Sequence, residues 1–291
     1  MGVWRHYDQA QLDAQFTLDM VRNLDALFAR RAAAAERARA RLTHRPGLAY
    51  GSHPEERLNF YPGEGAGSWP LLVFIHGGFW RSFEARGFAF VAEGFVGQGI
   101  AVAVLDYPLI PSVRLGDIVE SCRRAVAWLH REASALGCDP RAIFVSGNSA
   151  GGHLVAELMD RGWPVAGGLP VDAIAGGCAI SGLFELEPVR LSAQNDSLTL
   201  TPEEASRWSP ARRVAKGSPL IVAVGGAEAE EFIVQAREFA MAWEGAGNAV
   251  RLIKPDGADH ISVVLDEFAA RGAPLNAEMT RLVRSTRLSR G

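Results

Sequence analysis

Eight residues, Ser146-Gly147-Asn148-Ser149-Ala150-Gly151-Gly152-His153, set a serine at G-x-S-x-G spacing. Before them runs an apolar, strand-like segment, residues 142–145. After them residues 154–159 read as helix. Strand, tight turn and helix is the setting in which this spacing forms a nucleophile elbow, with the serine hydroxyl held clear of the sheet. Glycine is needed at 147 and 151 because side chains would crowd so tight a turn. The chemistry expected of Ser149 is nucleophilic attack.

A serine hydroxyl is a weak nucleophile near neutral pH. It needs a base to accept its proton and an acid to orient that base. On a parallel sheet the chain order Ser, Asp or Glu, then His is the expected one. His260 closes the loop Asp256-Gly257-Ala258-Asp259-His260 after the last strand and is the expected base. His6, His44 and His53 precede the sheet, and His130 lies on a helix. His153 lies on the elbow helix, where packing or hydrogen bonding is expected of it. The acid should follow the preceding strand, in Gly225-Gly226-Ala227-Glu228-Ala229-Glu230-Glu231. Glu228 comes first after the turn and is the expected orienter. Glu230 and Glu231 suit the start of the next helix, where its dipole favours acids. Asp256 and Asp259 sit too near His260, and Asp259 is better placed to brace the loop.

Attack on an acyl carbon creates an oxyanion, which needs preorganised N–H donors. Ala150, directly after the nucleophile, is one candidate. Gly77 and Gly78, in His76-Gly77-Gly78-Phe79-Trp80, are the others. Phe79 and Trp80 are expected to wall the acyl pocket, with core packing as the alternative. Leu183 and Phe184 are further expected substrate contacts.

These groups must be positioned by alternating strands and helices. Apolar runs at 70–75, 100–105, 142–145, 173–180, 220–224 and 250–253 read as buried strands. Between them lie helical patterns over about 85–98, 117–136 and 230–244, with two more over about 261–270 and 275–287. Residues 57–61 alternate polar and apolar and read as an edge strand. Residues 8–43 read as one or two helices, a helical extension (1–45) packed on the main unit (46–291). Residues 183–213 are irregular and long for a plain connection, so a cap-like insertion with a functional part is expected. The predicted fold is α/β, a mostly parallel sheet with helices on both faces. Ligands on such sheets bind at the carboxyl ends of the strands, where the His76-Gly77-Gly78 run, Ser149 and the loop after Val224 all fall.

Composition narrows the function class. The chain of 291 residues is 48% hydrophobic and carries a net charge of −3, from 30 basic and 33 acidic residues. The charges are mixed, so no nucleic-acid footprint stands out. The basic cluster from residue 30 to 45 reads as a solvated helix face. Cys122, Cys138 and Cys178 lack disulfide or zinc spacing and read as small core residues. No run approaches a membrane span and no signal peptide is visible, so a soluble, cytoplasmic protein is expected.

On these residues the chain resembles the α/β-hydrolase superfamily, within it the branch holding animal-type kynurenine formamidases (arylformamidases) and related bacterial esterases. Further matching segments are Ser181-Gly182-Leu183-Phe184-Glu185-Leu186-Glu187-Pro188, Gln194-Asn195, Ser209-Pro210, Glu231-Phe232 and Asp259-His260. The resemblance spans residues 50–268. It implies Ser149, Glu228 and His260 as the triad, and Gly77, Gly78 and Ala150 as oxyanion donors. It implies no metal and no cofactor; the H-x-G-x-x-H-type cluster of the unrelated bacterial formamidases is missing. Three departures stand out. The acid is more often Asp in the animal enzymes, Ile261 stands where an aromatic residue often follows the histidine, and Phe79 replaces a third glycine. The activity implied is hydrolysis of a small acyl group from an aromatic amide or ester, with formylkynurenine the named substrate. Short-chain carboxylesterase is the alternative, and a non-catalytic binding protein the remote one. The expected partner is the small-molecule substrate, without nucleic acid or membrane; a homodimer is left open.

Overall fold

The computed structural model describes residues 2–290. Eight strands form one sheet: β1 (Arg45–Ala49), β2 (Arg57–Tyr61), β3 (Trp69–Ile75), β4 (Ala101–Leu105), β5 (Cys138–Asn148), β6 (Gly176–Ile180), β7 (Leu220–Ala223) and β8 (Val250–Ile253). Their order is β1-β2-β4-β3-β5-β6-β7-β8. β1 and β2 pair antiparallel, as do β2 and β4, and every other neighbouring pair is parallel. This is the α/β-hydrolase fold.

The continuous apolar runs follow from burial on both faces. On β3, Leu71, Val73 and Ile75 enter one core while Leu72 and Phe74 enter the other. On β4, Ala101, Ala103 and Leu105 alternate with Val102 and Val104 in the same way. A strand so placed has no polar face, so its sequence carries no alternation. Each large side chain buried there contributes roughly 1.5–3 kcal/mol.

The helices are α1 (Gln9–Gln15), α2 (Leu24–Arg41), α3 (Phe90–Glu93), α4 (Leu115–Glu132), α5 (Ala150–Leu158), α6 (Gly162–Ala166), α7 (Glu187–Leu191), α8 (Asn195–Leu198), α9 (Pro202–Arg207), α10 (Glu230–Gly245) and α11 (Pro274–Arg290). α4 packs Ile118, Cys122, Val126 and Leu129 into the first core. α2 places Ala34, Ala35 and Ala38 in the second. Arg37 pairs with Glu93 at 2.9 Å and Arg30 with Asp266 at 2.7 Å, pinning α2 from its outer side. α7, α8, α9 and a 3₁₀ turn at Pro210–Arg213 make up the irregular 183–213 segment.

Several expectations need correction. β2 is not an edge strand, because β1, which contains Pro46 and Gly47 at φ +65°, covers it. The stretch 85–98 is a chain of short turns, Ala85–Phe88, α3 and Val96–Gln98, rather than one helix. Gly94, at the end of α3, is needed for space, since a Cβ there would lie 2.5 Å from the Ala269 carbonyl oxygen. The helix after His260 is a π-helix, Val263–Phe268, a form concentrated at functional sites.

Asp106, just after β4, accepts the Ala85 N–H at 2.6 Å. Burial pushes its carboxyl up to about 6 against that bond. The folded chain therefore holds the proton more tightly than the unfolded one. The stability this contributes is full below about pH 4 and lost as pH rises through about 6. Asp106→Asn should flatten that decline by on the order of 2 kcal/mol. Urea unfolding of both proteins at pH 4.5 and 7.5 measures it; equal slopes would refute it.

Candidate active site

β5 ends at Asn148 and α5 begins at Ala150, leaving Ser149 alone in the turn at φ 59°, ψ −120°. That conformation suits glycine and is strained for serine by on the order of 1–3 kcal/mol. Fixed bonds hold it. The Ser149 N–H donates to the Ile180 carbonyl at 2.8 Å, and the Ser149 carbonyl accepts from His153 N–H at 3.0 Å. The flanking glycines are needed for space. A Cβ on Gly147 would lie 2.5 Å from the Gly151 carbonyl oxygen, and one on Gly151 would lie 2.0 Å from that of Ile75.

Across the sheet ends, His260 Nδ1 donates to Glu228 Oε2 at 2.5 Å. The other carboxylate oxygen of Glu228 accepts from the Gly225 N–H and the Ser181 hydroxyl, both at 2.6 Å. Glu228 is 7% exposed. A carboxylate fixed this way points one oxygen at the imidazole and holds Nδ1 protonated, freeing Nε2 to accept. Asp259 braces the loop: its Oδ1 accepts from the Ile261 and Ser262 N–H groups at 2.9 and 2.8 Å. Ser181, which the sequence places in a matching segment but gives no role, directly follows β6. It too sits at positive φ, 49°.

The loop after β3 carries Gly77 and Gly78. A Cβ on Gly77 would meet the Asn148 carbonyl oxygen at 2.7 Å, and Gly78 has φ +107°. Among the described residues neither N–H has an intramolecular acceptor. The Ala150 N–H is the first of α5 and has no intrahelical partner. His76 underpins the loop. Its Nδ1 donates to the Gly77 carbonyl at 2.8 Å, its carbonyl accepts from the Tyr107 hydroxyl at 2.8 Å, and its ring stacks on Tyr107. Burial lowers its pKa to about 4, so it is neutral scaffolding. His153 is also buried and lowered to about 4, with Nε2 donating to the Trp208 carbonyl at 2.8 Å.

Ser149, His260, Gly77 and Gly78 face one cavity of about 360 Å³, and a smaller one of about 20 Å³ lies beside Glu228 and His260. The Ser149 hydroxyl makes no hydrogen bond among the described residues. Asn148 also lines the cavity, and its Nδ2 is buried without a partner.

The cavity walls differ from expectation. Phe79 lines both spaces. Trp80 does not: it is 0% exposed and packs edge-to-face on His153. Phe79 and Trp80 both have positive φ, 48° and 55°, so the chain turns and their side chains diverge. Leu183 and Phe184 are core residues as well. Phe184 stacks on Phe239 at 4.1 Å, and its N–H donates to Gln235. The wall is built instead by Phe16, Thr17, Leu18, Phe28 and Arg31 of the N-terminal segment. Arg31 breaks the reading of that basic stretch as a solvated face. Gln194 of the insertion joins them: it accepts from Arg81 at 2.8 Å and donates to the Phe16 carbonyl at 2.9 Å. Ile261 also lines the cavity.

Among the described residues no group of three or more His, Cys, Asp or Glu side chains could hold a metal ion. No helix among them is long and apolar enough to cross a membrane. The arrangement offers a strained hydroxyl, an oriented imidazole and free N–H donors around a mostly apolar cavity, the apparatus for acyl transfer.

Comparison with known proteins agrees with that chemistry. The BD-FAE family model matches residues 59–159. A kynurenine formamidase of Danio rerio is 29% identical over 236 residues, covering 79% of this chain and 78% of that protein. One of Drosophila melanogaster is 24% identical over 227 residues, covering 75% and 74%. A crystal structure of a putative thioesterase from Silicibacter sp. tm1040 superposes with a TM-score of 0.79 at 29% identity, covering 91% of this chain and 97% of that one. An esterase from Pyrobaculum calidifontis shares the fold, with a TM-score of 0.71 at 18% identity and 97% coverage of both chains.

Proposed function

We propose that this chain, an α/β-hydrolase by fold, is a serine hydrolase that removes a small acyl group from an aromatic amide or ester, best described as an arylformamidase. The observation carrying the reading is the His260–Glu228 bond at 2.5 Å, with its imidazole facing the same cavity as Ser149. The similarity to kynurenine formamidases along most of their length supports the formamide over other acyl groups. The aromatic walls, Phe16, Phe28, Phe79, Phe83 and Phe88, suit an aryl leaving group.

Substrate entry aligns the hydroxyl with His260; such bonds are often open in the free enzyme. Ser149 Oγ attacks the acyl carbon as His260 Nε2 takes its proton. The carbonyl oxygen becomes an oxyanion, met by the N–H groups of Gly77, Gly78 and Ala150. The intermediate collapses, the bond to the leaving nitrogen or oxygen breaks, and His260 gives that atom its proton. Water then attacks the acyl-serine, passing a proton to His260. Breaking the acyl–Oγ bond returns that proton to Ser149 and releases the acid. For formylkynurenine the products are formate and kynurenine.

The test is kcat/KM for N-formylkynurenine against p-nitrophenyl acetate and butyrate. Turnover of the formamide is expected. Turnover of the esters alone would make the chain a short-chain carboxylesterase. Equal ester rates for native and Ser149→Ala protein would leave a non-catalytic binding protein. The substrate is the partner proposed.

A further inference from the structure

We propose that Arg31, carried by the N-terminal helix α2, is a specificity-determining residue that receives a carboxylate of the substrate in the cavity before Ser149. The proposal rests on the hydrolase reading and adds to it the residue that recognises an anionic end of the substrate. Arg31 lines the cavity, with its guanidinium carbon 4.3 Å from the Phe83 ring centroid, 4.8 Å from Phe28 and 5.0 Å from Phe88. The three rings cradle a flat cation and leave its charge uncompensated.

Other arginines of α2 find acids: Arg30 has Asp266 and Arg37 has Glu93. Among the described residues Arg31 has neither an ion pair nor a hydrogen bond. No Asp or Glu lines the cavity, while a second guanidinium, that of Arg81, does. Arg81 is spent on Gln194 at 2.8 Å. The five N–H donors of Arg31 therefore await an acceptor from outside the chain. Burial pushes its guanidinium down from the ordinary value, yet arginine keeps its charge in proteins. A carboxylate offers two oxygens at the spacing of the guanidinium fork, which gives bidentate recognition. A partly desolvated cation also favours an anion over a neutral group of the same shape.

The test separates binding from turnover. Calorimetry on full-length Ser149→Ala protein compares phenylacetate with phenylacetamide. The carboxylate should bind roughly 10- to 100-fold more tightly. The preference should vanish in Ser149→Ala/Arg31→Met and return in part in Ser149→Ala/Arg31→Lys, which keeps charge but not the fork. Thermal melts of each variant check folding. In the Ser149 background, the kcat/KM ratio of 4-acetoxybenzoate to its methyl ester should fall on Arg31→Met, through KM more than kcat. Equal binding of acid and amide, no binding of either, or a preference that survives Arg31→Met would overturn the proposal. Failure of the hydrolase reading would show separately, as ester turnover indifferent to Ser149→Ala.

Discussion

Replacing Ser149 by alanine should lower kcat by about 10⁴–10⁶-fold while leaving the fold intact. The hydroxyl makes no hydrogen bond among the described residues, so its loss orphans nothing. Alanine occupies the strained φ 59° no worse than serine. Stability by urea unfolding should stay within about 0.5 kcal/mol of native. Glu228→Gln is the companion. Glutamine can still accept from Ser181 and Gly225, but it no longer offers a charged acceptor to His260 Nδ1. The imidazole loses both its tautomer control and the anion that steadies its protonated form. A loss of roughly 10²–10⁴-fold is expected. The double variant should be scarcely slower than Ser149→Ala, because groups that act as a unit are not additive. An additive double variant, or a Ser149→Ala protein that keeps its rate, would sink the triad.

Gly151→Ala should prevent folding or cost more than about 4 kcal/mol. Its new methyl would sit 2.0 Å from the Ile75 carbonyl oxygen and 2.8 Å from both the Ile75 carbonyl carbon and the His76 carbonyl oxygen. These are backbone atoms of β3 and of the loop that follows it, so no side chain can swing away. Relief would require parting α5 from the sheet where β3 and β5 pair. Gly245→Ala is the control at the end of α10, where an added Cβ meets nothing within 4 Å. Helix propensity favours that change by up to about 1 kcal/mol. Thermal melts compare the two. A Gly151→Ala protein melting near native temperature would show that the elbow has slack.

Both predictions concern residues visible in the sequence, and the reason is locality. The elbow is one continuous stretch whose glycines are dictated by its own turn. Gly77 and Gly78 report a close approach in the same way. Glu228 and His260 are far from Ser149 along the chain, but each lies on the loop that follows a strand of the parallel part of the sheet. Strand order alone places them at one end of it.

The misreadings have physical causes too. Phe79 and Trp80 read alike, as pocket walls with core packing the alternative, because the local sequence does not separate two adjacent aromatics. Only two successive left-handed residues send one ring into the cavity and the other into the core. Leu183 and Phe184 open the insertion, yet both are buried, Phe184 against Phe239 with its N–H on Gln235. The π-helix after His260 reads as ordinary helix because apolar spacing over six residues does not separate i→i+5 from i→i+4 bonding.

The sequence by itself marked the candidate nucleophile, its expected base and acid, and the sheet that gathers them, since each is encoded in a short segment with its own steric demand. The tertiary structure alone decided what the serine faces. Phe16, Phe28 and Arg31 reach the cavity from more than a hundred residues before Ser149, and no periodicity in α2 distinguishes an arginine turned inward from one turned to water. The chemistry of the elbow is local, whereas the shape and charge of its pocket arise from packing between distant segments.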